Sequence, residues 1–303
     1  MVRVERLRRY CQAPTFYQGV TTRRLIFSRV GCGRRQNPIW KSKCGCYNAG
    51  VVSAIFVTVR TGSTRLPRKA LLPIFKGVGV LEFLLERVKH ENKEPLVVVC
   101  TTILEEDDTI AEIAVRHGAE VFRGSVEDKL VRWRDACRAF NVERFVTADG
   151  DDLFCDPGLL ARGLDKLRVD ELDFVSAPQA PCGGFTYGIS ASALEEVCRI
   201  KTSDQTEMMW VYFTETGLFK LGELEIQSDM ARPEYRLTLD YPEDLDFFKR
   251  VISHFGGNPK VPLQKIVSYL DKNPEVRAIN GWRQADFLLN QSKNTHLEIA
   301  NDL

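Results

Sequence analysis

The chain predicts an α/β fold built on a mostly parallel sheet with helices on both faces, and three observations carry that expectation. Short, β-branched apolar runs alternate with amphipathic helical patterns of about ten to fifteen residues, the arrangement of βαβ units. The runs read as strands of the buried type, as a sheet covered on both sides requires. The two most polar loops, 60–69 and 149–152, each follow a strand end, where ligands of such sheets bind, so both could face one crevice.

Residues 54–59 form the first apolar run and end at Arg60. Val80, Leu81, Leu84, Leu85 and Val88 recur at helical spacing, with Glu82, Glu86, Arg87 and Lys89 on the other side. A second strand over 96–100 lies between Pro95 and Thr101-Thr102. Asp107 and Asp108 place acids at the start of a helix that continues through Ile110, Ile113 and Ala114 and stops at Gly118. A short strand over 120–122, a helix over 126–140 and a strong strand over 144–148 follow. The second half predicts strands over 173–177, 218–224 and 236–239, and a Gly-rich strand or turn over 183–189. Helices are expected over 191–200 and 242–255, the latter with Pro at its start, and around 263–270 and 281–289. The expected organisation is a basic extension over 1–50, a main domain over 51–255, and a helical segment over 256–303 packed on it.

Length and composition fit a soluble globular protein: 303 residues, 44% hydrophobic and 27% charged, with no apolar run long enough to span a bilayer. A cytoplasmic location and no membrane partner are the simplest expectations. The net charge of +1 is uneven, because residues 1–50 carry eleven Lys and Arg against Glu5 alone. The rest of the chain is therefore acidic, which disfavours general nucleic-acid binding. For the first fifty residues, which hold Cys11, Cys32, Cys44 and Cys46, a zinc site, a nucleic-acid or anionic-membrane arm, a transit peptide and a plain disordered extension are all open, the last being the simplest. The nine cysteines show no disulfide framework, so a reducing compartment is expected, with Cys100, Cys137 and Cys198 as buried thiols.

The loop Val59-Arg60-Thr61-Gly62-Ser63-Thr64-Arg65-Leu66-Pro67-Arg68-Lys69 lacks the Walker spacing but has the parts a polyphosphate needs. Gly62 lets backbone N–H groups approach a ligand, Arg60, Arg65 and Lys69 supply charge, and Pro67 stiffens the return. A solvated basic turn is the plain alternative. Asp149, Asp151 and Asp152 at a strand end repel one another unless a cation or a helix start offsets them. Mg²⁺ suits such carboxylates in company with phosphate oxygens, and a cap for the helix near Pro157 is the plain alternative. Asp240, in Leu239-Asp240-Tyr241-Pro242-Glu243-Asp244, is a third candidate acid, or else the cap of the helix after it. A basic loop opposed to acidic strand ends points to Mg²⁺-dependent nucleotide chemistry, and His90 and His117 read as helix-end residues.

At this point the motifs resemble a family. "TVRTGSTRLPRKAL" is similar to the N-terminal signature of sugar-acid cytidylyltransferases, the group of acylneuraminate, 3-deoxy-manno-octulosonate and spore-coat polysaccharide types. The similarity continues through "VVVCTTILEEDDTIAEIA", "FRGSVEDKLVRW", "FVTADGDDLFCDP" and "YRLTLDYPEDLDFF", over about residues 53–255. The resemblance implies a nucleotide-diphospho-sugar transferase fold, a GT-A-like, Rossmann-like three-layer α/β/α sandwich. It implies a reaction in which CTP and a small sugar acid give CMP-sugar and pyrophosphate for surface polysaccharide synthesis, with Mg²⁺ as cofactor and a homodimer as the common assembly. Carried over by position, Gly62, Ser63, Arg65 and Lys69 grip the CTP phosphates, with Arg65 and Lys69 as catalytic groups. Arg60, Thr101, Arg123, Gly124 and Ser125 join the nucleotide side. Asp151 and Asp240 match the metal aspartates, and the flanking Asp149 and Asp152 leave open which carboxylate meets the ion. Tyr187, Glu207, Trp210 and Arg236 are the substrate-binding candidates, although Met208-Met209-Trp210 also reads as core. The competing expectation is a GT-A-type glycosyltransferase that uses Asp149-Gly150-Asp151 as a D-x-D; the cationic loop at 60–69, suited to a leaving pyrophosphate, argues against it.

Overall fold

The computed structural model describes residues 52–90 and 95–300. The expectations for residues 1–50 and their four cysteines lie outside the described residues. In chain order the first half comprises β1 (Val52–Thr58), β2 (Pro73–Phe75), β3 (Val78–Gly79), α1 (Val80–Lys89), β4 (Leu96–Thr102), α2 (Asp108–Arg116), β5 (Glu120–Gly124), α3 (Lys129–Phe140) and β6 (Val142–Asp149). Next come α4 (Pro157–Val169), β7 (Phe174–Ser176), β8 (Gly188–Ser190), α5 (Ala191–Ile200), α6 (Val211–Thr214) and β9 (Leu221–Glu223). The chain continues with α7 (Pro242–His254), α8 (Leu263–Lys272), α9 (Pro274–Arg277) and α10 (Arg283–Asn294).

The described residues form a seven-stranded sheet in the order β5-β4-β1-β6-β8-β7-β9. β5, β4, β1 and β6 are mutually parallel, and β8 runs antiparallel to both β6 and β7. Chain order moves outward from β1 to β4 and β5, then returns to place β6 on the other side of β1. That reversal is a topological switch point, and it opens a crevice at the carboxyl ends of β1 and β6.

Alternation along β1 builds the two outer layers. Ile55 and Val57 join one core with α1, α2, α4, α7 and α8, while Ala54 and Phe56 join another with α3, α5 and α6. Phe56 and Phe145 stack at 4.3 Å on the second side, and the Trp133 ring meets Phe145 edge-on. The three-layer α/β/α sandwich expected from the sequence is the architecture observed. Val261, Leu263, Ile266, Val267 and Leu270 bury into the first core, so the chain beyond 255 shares that core.

Three expectations about local structure are corrected. The run 236–239 is no strand: apart from a single bridge between Cys182 and Arg236, it crosses the strand ends. Its alternating apolar residues Leu237 and Leu239 are buried there, and its backbone bonds go to Cys182 and Asp151 instead of to a ladder. The strand expected over 218–224 shrinks to β9. Cys198, expected as a buried thiol, is only partly buried. The strand or turn expected over 183–189 is present as both, Gly183 turning with φ +89° before β8 begins.

Arg87, on the face of α1 assigned to solvent by pattern, is instead 1% exposed. Its Nε donates to the Cys155 carbonyl at 2.6 Å, and Nη1 donates to the carbonyls of Pro259 and Val261 at 2.8 and 2.7 Å. It thereby clamps the acidic loop's far side to the segment leading into α8. Arg87→Ala strands those carbonyls and should lower folding stability by about 3 kcal/mol, read as a shifted urea midpoint; an unchanged midpoint contradicts the clamp.

Candidate active site

Two backbone contacts bring the polar loops together. Gly150 N donates to the Thr58 carbonyl at 2.8 Å, and Leu239 N donates to the Asp151 carbonyl at 3.0 Å. A Cβ on residue 150 would lie 2.7 Å from Val59, so only glycine allows the acidic loop to sit against the end of β1. The basic loop is anchored from its other side. Asp107 accepts from Thr61 N and Oγ1 at 2.8 and 2.7 Å, and its second oxygen accepts from Thr102 Oγ1. Arg68 takes φ 53° and is exposed, which turns the chain so that Lys69 points back into the crevice.

The result is a cleft of about 1040 Å³. Its centre is a charge cluster. Lys69 Nζ donates to Asp151 Oδ2 at 2.5 Å and to Asp240 Oδ1 at 2.9 Å, and Arg65 Nη2 donates to Asp240 Oδ1 at 2.6 Å. Burial works against the charge on Lys69, but Asp151 and Asp240 outweigh it and hold the ammonium above its usual range. Burial likewise opposes the charge on Asp240, and Lys69, Arg65 and Arg236 together keep its carboxyl below the usual range.

Asp240 does not cap α7. The residue that does is Asp244: its Oδ2 accepts from the backbone N–H of Asp240 and Tyr241 at 2.8 and 2.9 Å. The same carboxylate takes two bonds from Arg236, at 2.8 and 2.7 Å, with both side chains fully buried. Arg236 was a substrate-binding candidate; its guanidinium is instead enclosed by Asp244 and the ring of Phe287, 4.9 Å away, and reaches Asp240 at 3.3 Å. It positions Asp240 and does not line the cleft.

The acidic loop is equally built. Asp149, Asp151 and Asp152 each offer a carboxylate oxygen within 4.8 Å of the others. The cap on α4 is Asp156, whose side chain accepts from Leu159 N at 3.0 Å, so the three aspartates are not spent on that helix. Burial, then Asp151 and Asp149, push the Asp152 carboxyl well above the usual range, and it accepts from Thr186 Oγ1 at 3.0 Å. Burial also raises Asp149, opposed by Lys129, which donates to its Oδ2 at 3.2 Å. Asp149 Oδ1 is buried without a hydrogen-bond partner among the described residues, and so is Arg65 Nη1. Each half of the cleft thus holds an unspent group of its own sign.

Gly62, Ser63 and Arg60 line the cleft as expected. Arg60 donates to the Val126 carbonyl at 2.9 Å and to Glu207 at 3.3 Å. Tyr187, Glu207 and Trp210 also line it, with Met208 and Met209, the latter almost wholly buried in the core. The remaining nucleotide-side candidates, Thr101, Arg123, Gly124 and Ser125, do not line the cleft. Thr101 is fully buried in the sheet. Arg123 is 5% exposed, donating to the Thr102 and Leu104 carbonyls and pairing with Asp108. Ser125 Oγ accepts from Asp128 N at the start of α3, and Gly124 packs against Phe122 and Arg132. The segment touches a smaller cavity of about 260 Å³ through Val126 and Glu127, and that cavity shares Arg60 and Gly62 with the main cleft.

Sequence reasoning missed Lys129 and Arg132. Both line the cleft from α3, and Lys129 lies 4.9 Å over the Trp133 ring. The available signal was two cations three apart beside Leu130 and Trp133, on a helix face otherwise destined for the core. Trp133 itself donates to Thr58 Oγ1 at 2.8 Å, fastening α3 to the end of β1.

Because Asp244 holds both the α7 start and Arg236, Asp244→Ala leaves a buried guanidinium without its nearest partner, its longer contact to Asp240 at 3.3 Å remaining. The variant should lose about 3–5 kcal/mol of stability, measured by urea denaturation; a change under about 1 kcal/mol would show that Arg236 finds another partner.

The comparisons with known proteins agree with this geometry. A family model described as cytidylyltransferase matches residues 54–286. The uncharacterized protein MJ1063 of Methanocaldococcus jannaschii is 33% identical over 226 residues, 74% of this chain and 92% of its own length. The spore coat polysaccharide biosynthesis protein SpsF of Bacillus subtilis is 28% identical over 227 residues, 73% and 94% of the two chains. Among solved structures, a cytidylyltransferase from Leptospira borgpetersenii superposes with TM-score 0.68 at 29% identity, covering 75% of this chain and 97% of that one. No described helix is long and apolar enough to cross a membrane. With a matched span of this extent, the chain belongs to the cytidylyltransferase family and is a nucleotidyltransferase.

Proposed function

We propose that the protein transfers the cytidylyl group of CTP to a hydroxyl of a sugar acid, releasing pyrophosphate. The single observation that carries this reading is the division of one cleft into a cationic half, Arg60, Arg65 and Lys69, and a carboxylate half, Asp149 and Asp151, linked through Lys69 and Asp240. Triphosphate charge suits the first half. A Cβ at residue 62 would meet no protein atom within 4 Å, so the glycine there is not demanded by packing and leaves room for phosphate at the backbone. The smaller cavity beyond Gly62 is the place for the base, against Thr102, Leu104 and Val126.

In this reading the acceptor oxygen forms a bond to the α-phosphorus while the bond to the β-phosphate oxygen breaks, and Arg65 and Lys69 neutralise the departing pyrophosphate. Lys129 and Arg132 add positive potential from the opposite rim. Most of the acceleration then comes from positioning and fixed charge. The donor set fits a hard divalent cation, since Asp149 Oδ1 has no partner among the described residues and three carboxylate oxygens converge. Asp151, with Asp149 and Asp240 beside it, would hold Mg²⁺, which when bound screens phosphate charge and polarises the phosphoryl group under attack. Asp152, the third of the converging carboxylates, accepts from Thr186 Oγ1 at 3.0 Å and ties the loop to the chain before β8.

The glycosyltransferase alternative loses its ground with the family membership. SpsF takes part in spore coat polysaccharide biosynthesis, which favours a sugar acceptor here as well. Lys69→Ala and Asp151→Asn, checked for folding by thermal melts, should each lower pyrophosphate release from CTP by roughly 10²–10³-fold. Wild-type release from both folded variants removes this site assignment. A thermal-shift screen of CTP, UTP, ATP and GTP with Mg²⁺ should show selective stabilisation by CTP, and equal shifts would argue against the base assignment.

A further inference from the structure

The far wall of the cleft comes from a part of the chain that the family model does not reach. The match ends at residue 286, yet Phe287, Asn290, Gln291, Asn294, His296 and Glu298 all line the cleft. Positions 287, 290, 291 and 294 fall on one stripe of α10 at helical spacing, while Leu288 and Leu289 face outward at 53% and 55% exposure. The helix is pinned at its start by Arg283, which donates to both Glu243 oxygens at 3.2 and 2.9 Å. The tail after it is pinned at the other rim. Thr202 N donates to the Glu298 carbonyl and Ala300 N to the Ile200 carbonyl, each at 2.9 Å, around a bridge between Lys201 and Ile299. Residues 283–300 therefore run as a strap from the rim that holds Asp240 to the end of α5.

We propose that this strap is the acceptor-recognition wall, and that its amides bind the hydroxyl-bearing carbon chain of a sugar. The inference rests on the cytidylyl-transfer reading for what fills the opposite, cationic half. Three uncharged amides, on Asn290, Gln291 and Asn294, stand along one helix face, and each both donates and accepts, as neighbouring hydroxyls require. Asn294 Nδ2 donates to the Asn290 main-chain carbonyl at 2.7 Å and to Asn290 Oδ1 at 3.2 Å, which orients that pair. Asn290 Nδ2, Asn294 Oδ1 and the Gln291 amide have no hydrogen-bond partner among the described residues. Trp210 and Tyr187 in the same cleft lie near-parallel, with centroids 6.4 Å apart, and offer apolar faces for the carbon side of a sugar. The matched portion thus handles the nucleotide and offers Trp210 and Tyr187 to the sugar, and a segment outside the family match supplies the amides that set which sugar is accepted.

The test is steady-state pyrophosphate release by the full chain with CTP, Mg²⁺ and a panel of N-acetylneuraminate, 3-deoxy-manno-octulosonate and neutral hexoses. Saturation-transfer NMR with the same sugars at millimolar concentration reads binding where turnover is absent. Asn290→Ala, Gln291→Ala and Asn294→Ala should each raise the KM or weaken the binding of the preferred sugar by roughly five- to tenfold, with the KM for CTP within about twofold. Lys293→Ala, off the cleft-facing stripe of the same helix, should change neither and controls for loss of the helix. Unchanged sugar affinity in all three variants overturns the proposal, as does a panel in which no sugar engages the wild type while CTP binds. Failure of the wild type to bind CTP at all would instead remove the reading on which the proposal rests.

Discussion

The buried pair of Arg236 and Asp244 is the constraint from which the site is assembled. Two fully enclosed side chains of opposite charge, joined by two hydrogen bonds, are tolerable only if every remaining polar atom finds a partner. Here the remaining partners are the structural essentials of the neighbourhood. Asp244 takes the N–H groups of Asp240 and Tyr241, and the Asn280 amide bonds both Asp244 and the Arg236 carbonyl. One buried ion pair therefore starts α7, aims Asp240 and ties the C-terminal segment to the strand ends. Stability and placement are the same interaction at this point, which is why a cap residue stands one turn from a candidate metal ligand.

Around that anchor the cleft gathers charge at a density that a protein interior resists. Lys69 is largely enclosed and stays charged because two carboxylates face it; Asp240 is enclosed and stays charged because three cations face it. The cluster is thus balanced without a ligand, and a polyphosphate with a divalent cation would exchange one set of partners for another of the same sign. Such a site keeps its dipoles and charges oriented before substrate arrives, which is the form of catalysis that needs least rearrangement. Among the described residues that line the cleft, Arg65 Nη1, Arg132 Nε and Asp149 Oδ1 are buried without a hydrogen-bond partner and mark where that balance is open.

The two sides of the cleft have different origins in the fold. Strand ends at the switch point supply the phosphate and carboxylate loops, and the close contact of Gly150 with Val59 sets their separation. The opposite wall is supplied by residues from after α5 and by the last helix with its tail, segments that contribute little to the parallel strands. A cleft assembled this way can keep one chemistry on the sheet while its far wall varies with the chain.

Much of this architecture was legible in the sequence. The β-branched runs, the helical periods and the Pro and Gly stops place β1, β4, β6, α1, α5 and α7 within a few residues, because burial on both sheet faces leaves a strong local pattern. The loops at 60–69 and 149–152 and Asp240 were legible as well, since several charges clustered at strand ends are too costly to be incidental. What the sequence could not express is who partners whom. Arg236 read as a strand residue open to substrate, and only the fold shows that Asp244 encloses it. Arg123 reads as a nucleotide-side cation, and only the fold shows its bonds to the carbonyls of Thr102 and Leu104. Lys129 and Arg132 were hidden in a core-facing pattern, and the strap over 283–300 looked like a terminal helix. The chain's own chemistry determined the class of fold and the kinds of charge in the site. Tertiary structure decided which of those charges are spent on one another and which are left for a ligand, because hydrogen-bond partners in a buried site are chosen by three-dimensional proximity, and sequence spacing does not encode it.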